Sequence, residues 1–439
     1  MRLRYIYALL IAMVLSAPIE AQVYLDSAEV ARVLSGKDSV LPSGDDEATI
    51  EDDNGDDEGY NSYFQNDSCL TWQQNIKARL DGILQGNLME TTQVGVMVWD
   101  LTDDKRLYSY RERVQMRPAS TMKCVTAIAA LDRLGSDYSF RTRIYYTGSV
   151  DDSTQVLNGD IYCVGGMDPL IGGTDITAIA ESIRQLNIRT INGNFYADRS
   201  FKDKDELGWG WCWDDKNPSL NPLLVNKRDN FISLLRERLH NMGVTHYGIV
   251  GERTVPNDAQ LITTRLHSIE EVMRPMMKKS DNLFAESMFY QIAAAGGGKW
   301  STAKQAASYI KGLIRKVGLT PSNYNIADGS GLSLYNYVSP ELEVQLLRYA
   351  FQNRNIYDIL LKTLPIAGID GTLRRRMRGT PAAGNVRAKT GTVMGVSSLA
   401  GYLIASNQHR LCFSIIVNGG MLNGPMRRLQ NSICVALSK

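Results

Sequence analysis

Three short motifs of reactive residues occur in chain order: Ser120-Thr121-Met122-Lys123, Ser280-Asp281-Asn282 and Lys389-Thr390-Gly391. A serine hydroxyl is a poor nucleophile until a base removes its proton. Residues three apart on a helix share a face, so the Lys123 amine is within reach of the Ser120 hydroxyl. The amine works as a base only when neutral. An ordinary lysine titrates near pH 10.4, so action near pH 7 requires a depression of roughly three units, about 4 kcal/mol. Burial and a nearby cation supply such depressions, and Lys389 is the expected cation. The first-turn N–H of Ser120 has no helical partner and is free to stabilise an oxyanion, with the N–H of Thr392 as the expected second donor. Together these types point to acyl transfer through a serine. Second copies of two patterns exist, Ser301 to Lys304 and Ser219 to Asn221. Context favours the first set: Ser120 opens a strongly apolar helix after Pro118, whereas Ser301 follows a glycine run at the start of what reads as an exposed helix.

The elements that must position these residues follow from periodicity. Leu70, Ile76, Leu80, Ile83 and Leu84 recur at helical spacing, and residues 94–110 read as a β-hairpin broken at Asp103-Asp104. A helix runs from Pro118 to a stop at Gly135. Between 141 and 260 short β-like runs alternate with Gly, Asp and Asn turns. Helical patterns return over 268–318, two strands fill 401–419, and Leu429, Ile433 and Leu437 line a terminal helix. The expected fold is α+β: strands from both ends of the chain complete one antiparallel sheet between helical layers, with a β-rich domain inserted. The expected domains are a catalytic body over 67–140 and 261–439 and an insertion over 141–260.

Residues 1–21 read as a secretory signal, with Arg2 and Arg4 before the apolar run Ile6 to Ser16 and cleavage after Ala21. Residues 22–66 read as an acidic disordered tether; residues 22–60 hold twelve acids and two bases. Since the whole chain sums to +1, the part beyond residue 60 carries about +10 and is drawn to anionic polymers. Nucleic acid is not the expected partner, because no basic helix, zinc finger or stacking-aromatic motif accompanies that charge. The six cysteines and four histidines show no ligand spacing, so neither a metal nor a cofactor is expected, although six cysteines allow three disulfides in an oxidising compartment. The chain is therefore expected to be exported, to the periplasm or cell envelope.

The three motifs resemble those of the penicillin-recognising serine enzymes. The stretch LPIAGIDGTLRRRMRGTPAAGNVRAKTGT (364–392) is similar to the corresponding part of the low-molecular-mass class C penicillin-binding proteins, the D-alanyl-D-alanine carboxypeptidase/endopeptidases. MKKSDNLFAES (277–287), DGSGLS (328–333), GDIYCVGGMDP (159–169) and GWGWCWDD (208–215) resemble that family too, with Met167 and Cys212 as departures. The resemblance spans roughly 70–439. It implies a β-lactamase/transpeptidase-like fold, the stem peptide or cross-bridge of peptidoglycan as substrate, and β-lactams as covalent inhibitors. It implies Ser120 as nucleophile, Lys123 as base, Ser280 as proton relay, and Asn282 as a donor to the substrate backbone. Lys389 would polarise the site, while Thr390 and Thr392, flanking Gly391, would hold the substrate carboxylate. Which lysine or serine is the acylation base stays open at this stage. Two rivals are a serine β-lactamase and a catalytically silent wall-binding protein. Against the first, LIRKVGLTPSN (313–323) has no acid where class A lactamases carry a deacylating glutamate. Elsewhere, Asp328-Gly329-Ser330-Gly331 and Gly165-Gly166 read as turns, Arg374 to Arg376 as a solvated face, and Asp214 and Asp215 among Trp209, Trp211 and Trp213 as either a peptide contact or a folded loop. Oligomeric state is not legible.

Overall fold

The computed structural model describes residues 67–215 and 217–439, so the signal and tether readings lie outside the described residues. Helix α1 (Trp72–Ile83) opens on a reciprocal cap in which Thr71 and Gln74 satisfy each other's backbone N–H, and it buries Ile76 and Leu80. Strands β1 (Gln93–Asp100) and β2 (Lys105–Tyr110) form the hairpin. A single 3-10 turn, Ala119–Thr121, then feeds α2 (Met122–Leu134). Every residue of α2 from Met122 to Leu131 is buried, as expected for a helix apolar on all sides.

Helices α3 (Ile269–Lys278), α4 (Asn282–Ala294), α5 (Ala303–Lys316), α6 (Pro340–Gln352) and α7 (Arg354–Thr363) follow. Strands β3 (Arg387–Val393), β4 (Val396–Ile404) and β5 (Arg410–Asn418) lead to α8 (Asn423–Ser438). The central sheet has the order β3-β4-β5-β1-β2 with every neighbour antiparallel. Because side chains alternate along a strand, one face offers Val94, Val96, Val98, Phe413 and Ile415 to α1 and α8. The other offers Met97, Cys412 and Ile416 to a core built with α2, α4 and α6. This is the expected α+β sheet between helical layers, and it leaves β3 as an open edge beside the start of α2.

Between α2 and α3 lies a second sheet in the order Val250–Glu252, Phe195–Asp198, Ile161–Val164, Ser139–Tyr146, Gln260–Ser268. Its first three strands are parallel and the rest antiparallel. A further sheet of four short strands accompanies it. The segment also contains two helices, Gly173–Arg184 and Phe231–Asn241, which the β-rich reading did not anticipate. Their apolar residues Ile176, Ile179, Ile183, Leu235 and Leu239 pack with Ile144, Ile161 and Phe195 in a core of their own.

Other local readings also change. Ser301 is 3% exposed and bridges to Lys202, while Thr302 caps α5, whose inner face buries Ala306, Ile310 and Ile314. Arg376 is no solvated residue: its guanidinium donates to Gln430 and Asn431 on α8, whereas Arg374 and Arg375 are exposed. Gly166 is packed so closely that a Cβ there would lie 1.8 Å from the Arg141 carbonyl oxygen. All six cysteines carry free thiols, and four of them are buried.

Candidate active site

The helix start, the α3–α4 break and the edge strand β3 converge. Ala119 adopts φ +48° so that the chain turns sharply into Ser120. The Thr121 hydroxyl pins this turn by donating to the Pro118 carbonyl at 2.8 Å. From the next turn Lys123, fully buried, places Nζ 2.9 Å from Ser120 Oγ, as the i, i+3 spacing requires. The same nitrogen lies 2.7 Å from Asn282 Oδ1 and 2.8 Å from the Ser330 carbonyl oxygen.

Ser280 occupies the break between α3 and α4 with φ +61°, a strained conformation for a residue with a side chain. That turn sends its hydroxyl to Lys389 Nζ at 2.8 Å, while Asn282 begins α4. Lys389 is also fully buried and donates to the Thr390 carbonyl at 2.7 Å. Gly391 has a steric reason. A Cβ there would sit 2.1 Å from Ser398 Oγ, 2.7 Å from the Pro118 carbonyl oxygen and 2.9 Å from the Ser120 nitrogen. Only a glycine lets β3 lie against the Ser120 backbone. Thr390 donates its hydroxyl to Thr372 at 2.7 Å, and Thr392 is exposed on the same strand. The Ala388 N–H points away from β4 and donates to the Pro365 carbonyl at 3.0 Å, so by two-residue alternation the Thr392 N–H lies on the open edge.

Burial drives both lysines down. Lys123 is pushed down to about 8 by burial, against the opposing pull of Asp328, Glu286 and Asp281. Lys389 is held well below the ordinary lysine value by burial first and by Lys123 second. Of the two expected levers, burial is the first cause at Lys123, and the repulsion between the two lysines is felt at Lys389.

Sequence reasoning missed the group behind Lys123. Asp328, 1% exposed, accepts from the N–H of Gly331 and of Ser333, from the Asn336 amide, and from the Trp211 indole, all at 2.7 or 2.8 Å. Glu286 accepts from the N–H groups of Gly329 and Ser330, and burial pushes it up to about 8. Two buried carboxylates therefore shape the 328–333 segment and aim the Ser330 carbonyl at Lys123. The segment is a hub and not the simple turn that its composition suggests.

A serine and a buried amine between a helical layer and the edge of an antiparallel sheet, completed by S-D-N and K-T-G, make up the architecture of the penicillin-recognising serine enzymes. Relatives narrow this further. The chain is 28% identical to the D-alanyl-D-alanine carboxypeptidase of Actinomadura sp. (strain R39), over 83% of this chain and 84% of that protein. Its fold matches penicillin binding protein 4 (dacB) from Haemophilus influenzae with a TM-score of 0.75 at 22% identity, covering 82% of this chain and 99% of that one. That protein has also been solved complexed with a β-lactam. A predatory peptidoglycan endopeptidase from Bdellovibrio bacteriovorus matches with a TM-score of 0.50 at 17% identity, over 74% of this chain and 86% of that one. The D-Ala-D-Ala carboxypeptidase 3 (S13) family matches residues 76–225 and 223–438, and the chain belongs to it as a serine-type D-Ala-D-Ala carboxypeptidase. Among the described residues no helix is long and apolar enough to cross a membrane.

Proposed function

We propose that Ser120 attacks the carbonyl of the penultimate D-alanine in a peptidoglycan stem peptide, with Lys123 as the acylation base. The observation that carries this is the set of three contacts around Lys123 Nζ. A neutral amine has two N–H groups and one lone pair. Asn282 Oδ1 and the Ser330 carbonyl take the two hydrogens, which leaves the lone pair for the Ser120 proton. As the Oγ–C bond forms, the developing oxyanion receives the N–H groups of Ser120 and Thr392. The C–N bond then breaks, and Ser280 relays the proton from Lys123 to the departing amine of D-alanine. Lys389, Thr390 and Thr392 hold the terminal carboxylate, Gly391 permits the close approach, and one amide N–H of Asn282 meets the substrate backbone. Water finally cleaves the acyl-enzyme.

A cross-bridge ending in the same D-alanyl bond fits the same groups, so endopeptidase action belongs to the same reading. β-Lactams acylate Ser120 because they present a strained amide to the same nucleophile. The apolar run Ile6 to Ser16 and a wall substrate support a location in the periplasm or cell envelope. The buried, fully engaged lysines argue against a silent wall-binding protein, which has no use for two amines withdrawn from water. The test is release of D-alanine from a stem pentapeptide and from a cross-linked muropeptide. Ser120→Ala abolishes both. Unchanged release by that variant, or an adduct on Ser301 after β-lactam labelling, overturns the reading.

A further inference from the structure

We infer that Asn217 and Trp211, both from the segment between α2 and α3, are positioning residues for the acylation base: each fixes one of the two acceptors that prepare Lys123. This rests on Lys123 being the base. Asn282 shows the first route. Its side chain spans two partners, with Oδ1 2.7 Å from Lys123 Nζ and Nδ2 3.0 Å from Asn217 Oδ1. A primary amide has one accepting and one donating end. If Asn282 rotated by half a turn, its NH2 would face Lys123 and compete with the Ser120 hydroxyl for the amine lone pair. Asn217 opposes that rotation, because its oxygen would then face the Asn282 oxygen with no proton between them.

Trp211 shows the second route. Its indole N–H donates 2.8 Å to Asp328 Oδ2, the same oxygen that the Ser333 N–H reaches at 2.7 Å. Asp328 Oδ1 meanwhile holds the Gly331 N–H. These bonds flank Ser330, whose carbonyl is the other acceptor of Lys123. Packing reinforces the link: a Cβ on Gly210 would lie 2.7 Å from Ser333 Oγ and 2.5 Å from the Tyr335 ring, so this chain segment is pressed against the hub. Nothing else in the catalytic constellation explains why an indole N–H and an asparagine 91 and 97 residues beyond Ser120 reach into it.

The test measures acylation by a fluorescent penicillin on the full chain, from pH 5 to 9. The charged and titratable groups facing Lys123 are Asp328, Glu286, Asp281, Lys389 and Cys124, and none is altered by the variants. Asn217→Ala frees Asn282 to rotate. The plateau rate then falls about tenfold, the loss expected for one hydrogen bond. The acid limb moves to lower pH, since an amide donor in place of an acceptor disfavours the ammonium form. Asn217→Asp keeps an acceptor for Asn282 Nδ2 and restores most of the rate. Trp211→Phe keeps the ring, loses the N–H and slows acylation by a similar factor, with the melting temperature of all three variants reported alongside. A wild-type rate and profile in Asn217→Ala and Trp211→Phe overturns the inference. So does a slow Asn217→Ala whose acid limb stays in place, or one that Asn217→Asp fails to rescue. Ser120→Ala and Lys123→Ala run in parallel: labelling of Lys123→Ala at the wild-type rate sinks the reading of the base itself, and labelling of Ser120→Ala that of the nucleophile, whereas the expected losses in both beside a normal Asn217→Ala sink only the positioning role.

Discussion

Lys123 has no contact with bulk water, and that isolation makes it useful. Its ammonium form is disfavoured by burial, while three carboxylates hold its pKa at about 8 rather than lower. The sign of the pH dependence follows. Below about 8 the amine carries the proton and has no lone pair for Ser120, so acylation falls tenfold for each further unit of pH. Rates of β-lactam acylation measured from pH 5 to 9 therefore rise to a plateau above about 8. Lys123→Ala lowers the plateau by about 10²–10⁴-fold, the usual range for losing a general base, and abolishes the limb. A pH-independent rate in the wild type rules Lys123 out. At this scale the motifs were legible, because their residue types are dictated by the reaction. Asp328 was not. Asp-Gly-Ser-Gly composes an ordinary exposed turn equally well, and its donors come from Trp211, Gly331, Ser333 and Asn336, which only the fold assembles. Glu286 was visible only as one position of an apolar helix, and its two loop partners lie more than forty residues away.

Elements bring the polar atoms of the site to within 2.9 Å of each other, and β3 carries the tightest tolerance. Its middle glycine lies under the Pro118–Ser120 turn with no room for a methyl group. Two of the three obstacles are backbone atoms of the Pro118–Ser120 turn, so a side chain there displaces β3 rather than a flexible neighbour. Gly391→Ala is expected to cut acylation by about 100-fold, as a displacement near 1 Å does in an aligned site. Labelling kinetics read this, and a melting curve separates misplacement from unfolding; a near-normal rate shows that β3 does not need its close approach. The central elements were legible because β4 and β5 are buried almost end to end and α2 is apolar on every side. Less was legible between α2 and α3. There Ile176, Ile179 and Ile183 do recur at helical spacing, but they stand among short β-like runs whose turn residues dominate the pattern. The Ser301 region misled for the opposite reason: its glycines suggest exposure, while the β-bridge to Lys202 buries it.

At the scale of the whole molecule the question is what happens to an acyl group once attached to Ser120, and the arrangement of acids decides it. Rapid hydrolysis of a penicilloyl ester needs a carboxylate poised over a water beside it, as the class A lactamases have. The acids around this cleft are committed elsewhere. Glu286 is 1% exposed, with its oxygens on the Gly329 and Ser330 N–H groups. Asp328 is saturated by the hub, and Asp281 pairs with Lys227. The stretch 313–323, where a lactamase of that class carries its glutamate, has no acid. Deacylation then depends on water reaching the ester unaided by a carboxylate. The bulky penicilloyl group keeps its ring fused beside the carbonyl and hinders that water, whereas the leaving D-alanine departs and opens the space it occupied. The expected outcome is a burst of chromogenic cephalosporin hydrolysis equal to the enzyme concentration, followed by turnover far below about one per second, with D-Ala-D-Ala peptides still hydrolysed by untreated enzyme. Intact-mass measurement of the trapped chain is expected to show one adduct, mapped to Ser120. Sustained, rapid hydrolysis of the cephalosporin after the burst is the result that replaces this account with a lactamase.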